Sequence, residues 1–108
     1  MDNQKWQKYL RIKTDKFFSS VYMRESLEHS IAPFIALCEV NRVLKPMGDL
    51  VVNVPDQNWL EWHCHYIVPT KEQLRALLHK TNFEIITEGT TSGGHIFMHC
   101  VKTNDIEL

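Results

Sequence analysis

The densest cluster of chemically capable side chains in the sequence is Arg24-Glu25-Ser26-Leu27-Glu28-His29. It offers a guanidinium, carboxylates and an imidazole close together. Such groups bind polar substrates, or move protons when geometry and protonation state match. Glu25 and His29 are therefore candidates for a catalytic role. A second reading needs no chemistry. Acidic groups near a helix start are favourable in themselves, so Glu28 and His29 could simply cap the helix that follows. The other polar and aromatic concentration is Asp56 to Tyr66. Here Trp59, Trp62 and Tyr66 could form an aromatic wall for a substrate, a lid on the core, or a patch left open where another part of a fold is missing. His63-Cys64-His65 raises the question of a metal. Residues at i and i+2 point the same way only in an extended segment, and no second Cys or His pair has zinc-finger spacing. No metal site is expected. Cys38 and Cys100 fall in apolar patterns, and the cysteines read as inert thiols.

Two strands and a helix must position the first cluster. The run 17–23 is aromatic and branched, without helical period, as in a strand buried on both faces. Over 30–45 the period changes. Ile31, Phe34, Ile35, Cys38 and Arg42 follow helical steps, with Leu37, Val40 and Leu44 widening the apolar stripe. Ser30 is the expected N-cap, and Pro33 fits the first turn. Lys45-Pro46-Met47-Gly48 stops the helix. The apolar run 50–54 is a second strand ending at Pro55. A strand-helix-strand unit with short links implies an α/β fold with a parallel, right-handed pair. Ligands bind beyond the carboxyl ends of such strands. Those ends are Met23 to His29 and Asn53 to Asp56.

The rest of the chain continues the sheet. Thr70 and Gln73 form a capping box for a helix over 70–81, whose apolar face is Leu74, Leu77 and Leu78. Asn82 suits a left-handed cap. Strands over 83–88 and 95–102, joined by a polar link, predict an antiparallel hairpin. In the second, Ile96, Met98 and Cys100 share one side, and His95, Phe97, His99 and Val101 the other. Trp6, Tyr9 and Leu10 have helical spacing, so 1–16 is an arm that is either a short helix or frayed. Residues 17–103 form the domain and 104–108 a tail.

The chain has 108 residues, of which 44% are hydrophobic, enough for one small core. A net charge of −1 provides no field to attract nucleic acid or an anionic membrane. No apolar run approaches the ~20 residues needed to span a bilayer. The polar amino terminus lacks a secretory core, and three widely spaced cysteines suit a reducing compartment, so the expected location is cytoplasmic.

The stretch LEHSIAPFIALCEVNRVLKPMGDLVVNVPD resembles the second half of a class I S-adenosylmethionine-dependent methyltransferase of the broad type 11 group. Leu27-Glu28-His29 matches an element that follows the family's fourth strand. Glu39 to Gly48, EVNRVLKPMG, matches its E-x-x-R-V-L-K-P-G-G helix end, with Met47 in place of the usual Gly. Asn82 likewise stands where the family usually has Gly, and His65 matches a His before the next helix. The likeness covers roughly residues 15 to 103. It implies a partial Rossmann-like sheet and methyl transfer from S-adenosylmethionine to a small molecule or other acceptor. It places Met23, Arg24, Glu25 and Leu27 near the cofactor, and Asp56, Trp59, Trp62, His65 and Tyr66 near the acceptor. The family's Gly-rich loop and acidic strand end, which hold the cofactor, have no counterpart here. Gly93-Gly94 comes late and precedes a strand. Cofactor binding is thus expected to need an amino-terminal half, either separately encoded or part of a longer product. The alternative is a non-catalytic interaction module. The 17–23 strand would then have a hydrophobic outer edge, through which it could form a homodimer.

Overall fold

Leu50 to Val54 is the spine of the molecule. The computed structural model describes residues 16–24, 27, 32–55 and 69–106. In it the elements run β1 (Phe18–Arg24), α1 (Pro33–Val43), β2 (Leu44–Pro55), α2 (Lys71–Lys80), β3 (Phe83–Thr90) and β4 (His95–Lys102). The strands form one four-stranded sheet in the order β1-β2-β4-β3. β1 and β2 are parallel, with Tyr22 opposite Val51 and Met23 opposite Val52. β2 and β4 are antiparallel, with Val52 opposite Met98. β4 and β3 form the expected antiparallel hairpin. The α/β class and the parallel pair are thus as the sequence implies.

The core lies on one face. Alternate residues Leu50, Val52 and Val54 of β2 pack with Ile96, Met98 and Cys100 of β4. Ala36, Leu37, Val40 and Val43 of α1 and Leu74 and Leu78 of α2 complete the same cluster. Both helices therefore cover one side of the sheet. The opposite side is built from Tyr22, Val51, Asn53, Phe97, His99 and Val101, and only partly covered. This corrects the expectation that β1 is buried on both faces. Met23 is 3% exposed but Tyr22 is 60% exposed, because no second helical layer lies over it among the described residues.

α1 also differs from its expected form. It begins at Pro33 behind Ala32, which makes no side-chain cap, rather than behind Ser30. Its buried face is Ala36, Leu37, Val40, Asn41 and Val43. Phe34 and Ile35, expected on that face, are 41% and 57% exposed, and Cys38 is half-buried rather than core. The helix is apolar on most sides, so two stripes compete. The sheet takes the one centred on Leu37 and Val40, which brings more aliphatic surface into contact. α2 follows expectation. Thr70 Oγ1 accepts from the Gln73 amide at 3.1 Å, and Gln73 Oε1 accepts from the Thr70 amide at 2.9 Å. Asn82 takes φ 61°.

The expected stop at Lys45 to Gly48 lies within the span of β2, as an irregularity. Pairing jumps from Phe18–Leu44 to Ser20–Asp49. Met47 bulges there with φ 64° and 71% exposure. Gly48 must stay bare, since a Cβ would fall 2.8 Å from the Lys45 carbonyl oxygen and 3.1 Å from that of Ser19. A β-carbon at the left-handed Met47 costs about 1 kcal/mol, and Met47 covers nothing in return. Met47→Gly is expected to stabilise the chain by about 0.5 kcal/mol, after the extra freedom of an unfolded glycine is subtracted. Thermal melting should show a rise of a few degrees. A lower melting temperature would mean that Met47 makes contacts worth more than its backbone cost.

A buried polar network closes the amino-terminal end of β1 and β2. Lys102 has a side chain 1% exposed; its ammonium donates to the carbonyls of Asn41 at 2.6 Å and Leu44 at 2.9 Å. Asn41 donates to the carbonyls of Thr81 and Asn104 at 2.9 and 3.0 Å. Asp105 pairs with Lys102 at 2.7 Å and with Lys16 at 3.2 Å, tying the end of the chain to the start of β1.

Candidate functional site

Because β1 and β2 run the same way with Arg24 opposite Asn53, their carboxyl ends share one edge of the sheet. That edge is where the sequence places the site. The described residues there are few. Met23 points to the helix side and is 3% exposed, and Leu27 is 1% exposed; both belong to the core. They can shape the rim from beneath, but their side chains do not line its surface. Arg24, in contrast, is exposed at the end of β1. Glu25 and His29, the catalytic candidates, lie outside the described residues, as do Asp56, Trp59, Trp62, His65 and Tyr66. The same is true of His63 and Cys64. Among the described residues no group of His, Cys, Asp and Glu could hold a metal ion.

The sequence puts Asn53 at a strand end but gives it no role of its own. It interrupts an aliphatic strand, and its neighbours Val52 and Val54 are fully buried under the helices. Alternation puts Asn53 on the other face, in the last row shared by the parallel pair, with Arg24 on one side and Phe97 on the other; Pro55 and His95 form one further row toward the rim. The Phe97 ring rests where a β-carbon of Gly89 would be, 2.7 Å from that position. The side-chain oxygen of Asn53 is buried and accepts no hydrogen bond among the described residues. One row further from the rim, His99 Nε2 lies 2.9 Å from Asp49 Oδ1 on the same face. The signal for Asn53 in the sequence is a single polar residue inside an apolar run, which also suits a bland edge position.

The thiols are passive. Burial pushes the Cys100 thiol up to about 12, and the nearby Glu88 adds to the shift. Cys38 is also raised, first by burial and then by Glu39. Neither is a thiolate near neutrality. A cavity of about 310 Å³ opens beside Lys16, Glu39, Arg42 and Asp105, at the opposite end of α1 from the rim. Its charges are already paired, Arg42 with Glu39 at 2.7 Å and Lys16 with Asp105 at 3.2 Å. Among the described residues no helix is long and apolar enough to cross a membrane.

The fold can be compared with known proteins. No protein-family model matches the chain, and no curated protein matches its sequence. Solved structures do match. One is the 1,6-didemethyltoxoflavin-N1-methyltransferase of Burkholderia thailandensis, solved with 1,6-didemethyltoxoflavin and S-adenosylhomocysteine. It is 17% identical with a TM-score of 0.72, over 88% of this chain and 48% of that one. Another is a putative methyltransferase of Haloferax volcanii in complex with the Trm112 methyltransferase activator. It is 14% identical with a TM-score of 0.75, over 86% of this chain and 57% of that one. A third is the [4+2]-cyclase SpnF, 18% identical with a TM-score of 0.73, over 85% of this chain and 52% of that one. The chain thus spans about half the length of these structures. Its fold is that of the carboxyl-terminal part of a class I methyltransferase. The cyclase shows that one fold carries more than one chemistry.

The described residues do not fit the cofactor these folds imply. A cradle for it needs bare backbone at a strand end and an acidic partner for the ribose. Gly93 and Gly94 lie instead in the link between β3 and β4, and Gly48 is packed against β1. Holding S-adenosylmethionine is therefore not assigned to any residue described.

Proposed function

We propose that this chain is the acceptor-side half of an S-adenosylmethionine-dependent methyltransferase. It transfers a methyl group to an unidentified acceptor only with a cofactor-binding half from outside residues 1–108. The observation that supports this most is the order β1-β2-β4-β3 with both helices on one face. That arrangement leaves an open sheet face and a polar rim where the rest of such a fold would sit. In this reading Arg24 and Glu25 approach the cofactor side, with Met23 and Leu27 beneath them. Asp56, Trp59, Trp62, His65 and Tyr66 serve the acceptor. Glu25 and His29 are the groups for proton transfer, if the acceptor needs one. Methyl transfer depends mainly on alignment of the reacting atoms, so a base is optional. The acceptor is a small molecule, as for the toxoflavin enzyme, and the location is cytoplasmic. The missing half joins in the same polypeptide or as a separate protein. The activator complex is a precedent for a protein partner on this fold.

The second reading, an interaction module, also has an observation in its favour. β1 has one strand neighbour among the described residues, its Tyr22 is exposed, and Phe34 and Ile35 of α1 are exposed as well. The two readings separate by sequencing the transcript upstream of Met1 and its neighbouring genes, and by size-exclusion chromatography. A Gly-rich strand-to-helix turn followed by an acidic strand end supports the methyltransferase. Its absence, together with a stable homodimer of the 108-residue chain, would replace that reading with the module.

A further inference from the structure

We propose that the side-chain oxygen of Asn53 recognises a hydrogen-bond donor on the acceptor molecule, so that the site takes compounds bearing O–H or ring N–H and disfavours their methylated forms. The identity of the ligand as a methyl acceptor rests on the proposed function; the hydrogen bond does not. A buried acceptor without a partner carries its full desolvation cost. Folded proteins leave few such atoms, and those that persist have a reason. Here the orphan is Oδ1 of Asn53. Its position is not random. It lies in the last row shared by the parallel pair, on the face away from the helices, between Arg24 and Phe97, with Pro55 and His95 one row nearer the rim. Val51, one row below it, is aliphatic and offers no donor. The neighbouring Asp49–His99 pair is already closed on itself. A ligand reaching in from the rim would find one unmet acceptor, which fits a molecule carrying a single donor.

The chemistry is selective in one direction. An amide oxygen is too weak a base to take a proton, so Asn53 orients and does not catalyse. It can tell X–H from X–CH₃, because the methylated atom has no hydrogen to give and leaves the oxygen unmet. A site built to hydrogen-bond an O–H or N–H strongly rejects analogues that lack it. Acceptor would then bind better than product, which favours release after reaction.

The test uses the full chain and three matched pairs: phenol and anisole, imidazole and 1-methylimidazole, indole and 1-methylindole. Each is titrated while the Asn53 side-chain amide is followed by ¹⁵N–¹H NMR, assigned with Asn53→Leu. In at least one pair the donor-bearing member is expected to bind about tenfold tighter and to shift the Asn53 signal. The preference should fall to within about twofold in Asn53→Leu. Independently of any ligand, Asn53→Leu should melt at a higher temperature, since it removes an unmet buried acceptor. The proposal is overturned if no pair shows a donor preference in the wild-type chain, or if Asn53→Leu melts lower. None of these titrations contains S-adenosylhomocysteine. If that compound never binds but the donor preference holds, methyl transfer fails and Asn53 stands. If it binds the completed protein and no pair shows a preference, Asn53 fails alone.

Discussion

Lys102→Met should lower stability by about 3 kcal/mol, a fall of roughly 10–20 °C in melting temperature for a domain of this size. Methionine fills much of the same volume, so packing is not the reason. The ammonium satisfies the Asn41 and Leu44 carbonyls at the end of α1, where helix carbonyls have no partner of their own. It also holds Asp105. Without it two carbonyl groups at a buried position face methyl groups. Acid should act on the same network. The Asp105 carboxyl is held below the ordinary carboxylate range, first by its hydrogen bond to Lys102 and then by that to Lys16. A folded value below the unfolded one gives stability that is present above about pH 4 and lost as pH falls through the folded value. The wild-type chain should therefore lose stability on acidification below about pH 4, and Lys102→Met should lose less of it. Circular dichroism melts across that range would show both effects. A variant melting within about 3 °C of wild type would mean that the network is not what closes this end of the sheet.

Leu37→Ala is the other large effect, expected at about 3 kcal/mol of destabilisation. Leu37 is 0% exposed and touches the sheet in the middle of α1. Ile35→Ala, two positions earlier, should change stability by less than about 0.5 kcal/mol, because Ile35 is 57% exposed. Urea unfolding of the two variants measures the phase of the helix directly. If Ile35→Ala proved the more costly, α1 would be turned the other way on the sheet.

The comparison of these two residues shows why part of the fold was legible and part was not. The parallel pair, the capping box at Thr70 and the final hairpin follow from local rules: period, cap chemistry and turn residues. The face of α1 does not. With Phe34, Ile35, Leu37, Cys38 and Val40 in succession the stripe is degenerate, and only the sheet decides. The same limit applies to β1. An apolar run signals burial on both faces, yet the layer that would cover Tyr22 is not among the described residues. Lys102 sits at the end of an alternating strand, where a lysine normally marks solvent; its partners are 58 and 61 positions away in sequence. At the site, the strand ends and Arg24 were legible from the strand-helix-strand pattern. Met23 and Leu27 were drawn toward the cofactor by resemblance, although their side chains are apolar and core-facing. Asn53 was placed at a strand end without a role, because one amide in an apolar run gives no local clue that its oxygen lacks a partner among the described residues.

The division of labour between two halves is tested most directly by isothermal titration calorimetry with S-adenosylhomocysteine. The 108-residue chain alone should show no saturable binding. The chain supplied with a half carrying a Gly-rich turn and an acidic strand end should bind one equivalent. Tight binding by the isolated chain would contradict this, and so would silence from the completed protein.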